Sequence, residues 1–226
     1  MHIEPGVVTG AKIALSYATA AAAATFLVKE IIKTTPARDV AAFAVRALLA
    51  TVAVFIFFEV LPKHPVGVSE VHFILGSTLF LIFGAGPTAI GLAAGLLMQG
   101  LFFAPIDLPQ YFMNVTTLLV PLFAVSALAK RIIAPKTAYV DLKYSQALAL
   151  STAYQGGVVL WVAFWAVYGQ GFSAENMANI MAFGGAYMLV VVIEPLADLG
   201  VLAAAKALHR LEGSGLVSDR VYKGAA

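Results

Sequence analysis

Cysteine is absent from this chain of 226 residues. That excludes disulfide bonds and thiolate metal sites, so a bound metal would have to be held through nitrogen or oxygen. Charge is scarce too: 12% of the residues are charged, about half the share usual in a soluble domain. The formal net charge of +2 is too small to point to nucleic acid as a partner. Alternation of polar and apolar residues is also missing from the long apolar stretches, which argues against a transmembrane β-barrel. What is abundant is hydrophobic side chain, 61% of the chain, with a mean hydropathy of +0.91. A water-soluble core of this size cannot bury that much apolar surface. The composition therefore points to an all-α membrane protein that crosses the bilayer several times. The start, MHIEPGVVTG, lacks a basic segment leading into a short apolar one, so no cleavable signal peptide is expected and Met1 should stay.

The apolar runs predict seven transmembrane helices, near residues 7–31, 40–60, 71–83, 88–103, 112–129, 145–168 and 175–209. The third and fourth are short and are joined by Gly84-Ala85-Gly86-Pro87, a tight break that suits tilted or partly re-entrant segments. The seventh is too long for one crossing, and Glu194-Pro195 is expected to kink it or to mark where it leaves the hydrocarbon. Basic residues cluster in alternate loops: Lys29, Lys33 and Arg38; Lys130, Arg131, Lys136 and Lys143; and Lys206, Arg210, Arg220 and Lys223. Those account for 11 of the 14 basic residues; of the others, Lys63 falls on the opposite side and Lys12 and Arg46 fall within helices. The positive-inside rule then puts the N-terminus outside and the C-terminus in the cytoplasm, the parity that seven spans require. The run Ala18-Thr19-Ala20-Ala21-Ala22-Ala23-Ala24-Thr25 supplies small residues for close helix approach, either within the bundle or as a docking face for another membrane subunit.

Four histidines are present: His2, His64, His72 and His209. His209 lies in the basic tail and His64 beside Pro65 in an outer loop, where both are expected to be solvated. His2 is different. A large second residue disfavours removal of Met1, so the α-amine of Met1, the amide nitrogen of His2 and its imidazole can reach one metal through fused chelate rings. Three nitrogens in a plane suit a tetragonal ion such as Ni(II), Cu(II) or Co(II), and amine and imidazole both deprotonate at little cost near neutrality. His72, expected at the outer end of the third helix, lies on the same side and offers a fourth nitrogen; a capping or interfacial role is the alternative. Among the remaining polar residues, Arg46 and Glu194 are expected to pair, and Glu59, Glu70 and Asp107 to form an outer rim. The chain contains no G-x-x-x-x-G-K-[ST], H-E-x-x-H or G-x-S-x-G, which leaves no sequence basis for ATP hydrolysis, for that zinc-protease site or for a hydrolase nucleophile.

The opening MHI with Pro5-Gly6, the segment PVGVSEVHFILGS, the segment FGAGPTAIGLAAGLLMQGLFF and Asn114 at the head of the fifth helix together resemble the CbiM/NikM family. These are cobalt- or nickel-binding S components of energy-coupling-factor (ECF) ABC transporters of the bacterial cytoplasmic membrane. The approach to His72 carries Glu70 and Val71, where the family more often has glycine or serine. The resemblance implies a seven-helix bundle with an inserted N-terminus and a metal held by Met1, His2 and His72. It divides a single integral membrane domain, 1–226, into a plug at 1–6, a bundle at 7–209 and a cytoplasmic tail at 210–226. It also implies Co(II) or Ni(II) as cargo rather than catalytic cofactor, a transmembrane coupling (T) component and cytoplasmic ATPase subunits as partners, and a lipid bilayer around the chain. The alternatives are a stand-alone ion-coupled carrier working through Arg46, Glu59 and Glu194, for which paired halves are lacking, and a non-transporting membrane scaffold.

Overall fold

Seven α-helices follow one another along the described chain: α1 (Ala14–Thr34), α2 (Val40–Phe55), α3 (Gly76–Phe83), α4 (Ala85–Phe102), α5 (Tyr111–Ile132), α6 (Tyr144–Gln170) and α7 (Ala174–Ala207). The computed structural model describes residues 3–135 and 137–207, apart from the side chains at 195, 198, 199 and 205–207. The expectations placed on Met1, His2, Lys136, His209 and the tail at 210–226 therefore lie outside the described residues. Six helical segments are long and apolar enough to cross a membrane, which makes this a multi-pass membrane protein. The exception is α3, whose eight residues reach only about 12 Å.

The short α3 corrects the helix expected from Val71. Residues 64–66 and 69–71 instead form an antiparallel hairpin, β1 (His64–Val66) and β2 (Ser69–Val71), with His64 opposite Val71 and Val66 opposite Ser69. Gly67 turns it at φ +60°, and a Cβ there would lie 2.1 Å from the Asn179 carbonyl oxygen. Beyond β2 the chain stays irregular through Leu75, which adopts a left-handed φ of 51° before α3 begins. Hydropathy cannot distinguish this stretch from a helix. The difference lies in where its backbone bonds go, since the amides of Ile74 and Leu75 are both taken by Glu194. The hairpin and the irregular stretch run beside α7 from Asn179 to Glu194, fifteen residues or about 22 Å of helix.

The break between the third and fourth helices falls at Gly84, whose φ of +89° separates α3 from α4. Helix α4 starts earlier than Thr88 because Pro87 sits in its first turn, where no amide donor is needed. Its Gly91 and Gly95 press on α2: a Cβ on Gly91 would lie 2.5 Å from Ala50 Cβ, and one on Gly95 would lie 2.6 Å from Val54 Cγ1. This is the small-residue approach that substitutes for hydrophobic drive between membrane helices. The alanine run of α1 does not serve it, since only Ala23 of residues 18–25 is buried. Helices α1 and α2 instead turn Phe26, Ile32, Leu48 and Val52 outward, as a lipid-facing surface requires.

Past Phe55 the chain of α2 widens into a π-helical turn, Ile56–Val60, in which the Leu61 amide donates to the Ile56 carbonyl at 3.1 Å. The wider turn carries Phe58, fully buried, toward His72.

Gly91→Ala is expected to destabilise the protein by about 1–3 kcal/mol through overpacking against Ala50. Gly185→Ala, where an added Cβ meets nothing within 4 Å, should leave the midpoint unchanged or raise it. Thermal unfolding of the detergent-solubilised protein measures both.

Candidate metal centre

His72 is 2% exposed. Its ring packs edge-on against Phe58, with centroids 4.5 Å apart. Nδ1 lies 3.1 Å from the Phe73 carbonyl oxygen, a separation that suits Nδ1–H donation and puts the ring's lone pair on Nε2. The Tyr187 hydroxyl donates to the His72 carbonyl at 3.2 Å. His72 thus stands on the irregular stretch after β2, not on a helix as expected.

The N-terminal segment packs against the same stretch. Ile3 is 1% exposed and forms an antiparallel bridge with Ser69. Its amide donates to Asn114 Oδ1 at 2.8 Å, and the Glu4 amide donates to the Val68 carbonyl at 3.1 Å. Asn114 is 1% exposed, and its Nδ2 has no hydrogen-bond partner among the described residues. Val7 and Val8 are buried, and a Cβ on Gly169 would lie 1.9 Å from the Val7 carbonyl oxygen. Lys12 precedes α1 and donates to the Gly169 carbonyl at 2.9 Å. Residues 3–12 are therefore held by the β1–β2 hairpin, the head of α5 and the end of α6. Partial burial pushes the Glu4 carboxyl above the usual glutamate range, with Glu70 and Asp107 adding like charge. Among the described residues no three His, Asp or Glu side chains gather as a metal site.

The expected pair between Arg46 and Glu194 does not form. Glu194 is fully buried and accepts from the amides of Ile74 and Leu75, the Gln155 side chain and the Ser151 hydroxyl. Arg46 Nε has no hydrogen-bond partner among the described residues. Glu59 pairs with Lys63 at 3.1 Å and also accepts from Gln99 Nε2 at 3.0 Å. Gln99 Nε2 lies at the same 3.0 Å from the Phe58 carbonyl, so α4 steadies the turn that carries Phe58. His64 is exposed on β1, as expected. Two contributors lie on α7: Tyr187 was not anticipated, and Glu194 was, but with Arg46 as its partner. Tyr187 carries no signal in a run of apolar residues, whereas a lone carboxylate at Glu194 within such a run marks a site worth inspecting.

These features define a class first: a helical membrane protein in which the N-terminal segment and a non-helical stretch meet inside the bundle beside a buried histidine. Two crystal structures share the fold at 18% identity. One, described as a truncated transition metal transporter, gives a TM-score of 0.69 and covers 92% of this chain and 100% of its own. The other, described as a transition metal transporter, gives 0.63 and covers 95% and 99%. No curated protein sequence matches the chain. Residues 2–210 match the CbiM family, described as the cobalt uptake substrate-specific transmembrane region. The chain belongs to that family and is a membrane component of metal uptake.

Asn114→Ala removes the acceptor for the buried Ile3 amide, a loss of about 1–3 kcal/mol. Hydrogen exchange at Ile3 and Glu4 is expected to quicken by about tenfold or more, with α2 and α4 unaffected. Unchanged exchange would show that Asn114 does not hold the segment.

Proposed function

We propose that this chain is the substrate-capture S component of an ECF transporter and takes up Co(II) or Ni(II) from the outer side. Met1 supplies its α-amine, His2 its amide and imidazole nitrogens, and His72 a fourth nitrogen. The N-terminus lies outside and the C-terminus in the cytoplasm of a bacterial membrane. The observation that carries this reading is the contact between Ile3 and Ser69, three residues before His72 in the chain, with Asn114 bonded to the Ile3 amide. Membership of a cobalt uptake family supports it independently.

Donors of this kind explain why the start of a chain is useful. An amine and an adjacent amide form a five-membered chelate ring, and the imidazole of the second residue extends it. Four nitrogens in a square favour d⁸ and related ions over Mg²⁺ or Ca²⁺, which prefer oxygen. The Phe58 ring and the enclosed setting of His72 keep competing water from one side. Cobalt and nickel share these preferences. Without a nucleotide-binding motif of its own, the chain depends on a coupling subunit and ATPases to be reoriented and to release the metal inside.

In the purified protein, His72→Ala should weaken Ni(II) binding by more than the roughly 10- to 100-fold that loss of an outer partner costs. One alanine inserted between Met1 and His2, or a tag fused ahead of Met1, should do the same, because each destroys the fused chelate. His64→Ala, a change on the exposed hairpin, should bind normally. Elemental analysis and the visible band of square-planar Ni(II) measure the outcome; full metal content with an unchanged band in the tagged protein refutes the donor set. Metal uptake by cells should be weak with this chain alone and rise when a coupling subunit and ATPases are co-expressed. Full uptake by the lone chain, abolished by collapsing the proton gradient, would instead establish a secondary carrier.

A further inference from the structure

Residues 72–75 form no helix or strand, yet backbone inside a bilayer must be satisfied by protein. One face of α7 does this. Tyr187 and Glu194 are seven residues apart, two helical turns, and so project the same way. Tyr187 donates to the His72 carbonyl at 3.2 Å. Glu194 Oε1 accepts from the Ile74 amide at 3.2 Å and the Leu75 amide at 3.1 Å. Its Oε2 accepts from Gln155 Nε2 at 2.5 Å and the Ser151 hydroxyl at 3.4 Å. Three of the four residues from 72 to 75 are thereby tied to one helix.

Two details point past a merely structural cap. Leu75 holds a left-handed φ of 51°, a conformation that persists in a branched side chain only where the surroundings over-determine it. The two neighbouring amides gripped by one carboxylate provide that constraint. In addition, four donors fill the lone-pair directions of both Glu194 oxygens, which leaves none for a cation. A buried intramembrane carboxylate usually signals function, and here a ligand role is closed by its own hydrogen bonds.

We propose that Glu194 is the positioning residue of the metal site, anchoring the backbone just beyond His72 to α6 and α7 so that the imidazole is presented to the metal already oriented. The part concerning metal rests on His72 being a ligand. Tyr187 is the second point of the same anchor. A ligand whose support is loose binds metal about 10- to 100-fold more weakly.

The test uses the purified full chain with a free N-terminus, Ni(II) as probe, and the variants Glu194→Gln, Glu194→Ala and Tyr187→Phe. Glutamine retains a carbonyl oxygen for the two amides. Gln155 Oε1, which has no hydrogen-bond partner among the described residues, can turn over to receive the new amide group. Glu194→Gln should therefore bind within about threefold of wild type with the same visible band. Glu194→Ala should bind about 10- to 100-fold more weakly with a shifted band, and in the metal-free protein its Ile74 and Leu75 amides should exchange faster. Tyr187→Phe should weaken binding about 2- to 10-fold, since the His72 carbonyl loses its donor. Wild-type affinity and band in folded Glu194→Ala overturn the proposal. So does a loss in Glu194→Gln equal to that in Glu194→Ala, since charge rather than acceptor geometry would then matter. If Glu194→Ala does not fold, Tyr187→Phe decides: wild-type affinity, band and exchange at 72–75 overturn the anchor. Normal metal binding by His72→Ala would refute the ligand assignment instead, while faster exchange at Ile74 and Leu75 in metal-free Glu194→Ala would still establish the anchor.

Discussion

Backbone that leaves a helix inside a bilayer has no water to bond, so each amide and carbonyl must be met by protein. The stretch around His72 lives under that constraint, and much of the surrounding structure answers it. The hairpin pairs residues 64–66 with 69–71, and Tyr187 meets the His72 carbonyl. Glu194 meets Ile74 and Leu75. The incoming N-terminal segment finds its partners in Val68, Ser69 and Asn114. Remove these partners and residues 71–75, rich in apolar side chains, would gain most by coiling into the helix their hydropathy suggests. A buried carboxylate and an asparagine are thus the cost of keeping a histidine on non-helical backbone within the bundle.

The opposite wall is built differently. Gly91 and Gly95 let α4 approach α2 closely, and Gln99 one turn further along α4 then reaches the carbonyl of Phe58 in the π-helical turn. An extra residue in a helical turn re-aims the side chains that follow it. Here it brings Phe58 edge-on to the His72 ring. Close packing, a widened turn and an aromatic contact therefore act in series on one imidazole. Metal capture of the proposed kind gains from this arrangement because a preorganised donor gives up little conformational freedom when the ion arrives.

Charges expected to act together proved to serve separate tasks. Glu59 is neutralised by Lys63, four residues along on the π-helical turn's exit. Glu194 is saturated by neutral donors, and Arg46 is not joined to it. A carrier cycling protons through these three residues would want them within reach of one another. Among the described residues no hydrogen bond or ion pair joins the three of them.

Membrane character was fully legible in the sequence, because hydropathy and charge scarcity depend only on composition and order. So were most helix positions and the break at Gly84. Family membership was legible as well, since its motifs are local: the opening residues, the segment around His72 and the glycine-rich α4. Asn114 could be noted but not assigned, because its partner, the Ile3 amide, is 111 residues away. The shortness of α3, the hairpin before it and the role of Glu194 were decided only by tertiary structure. A helix and an irregular strand of the same apolar residues differ in where their hydrogen bonds go. Here those bonds cross about 120 residues of sequence to α7, a distance that no local pattern records.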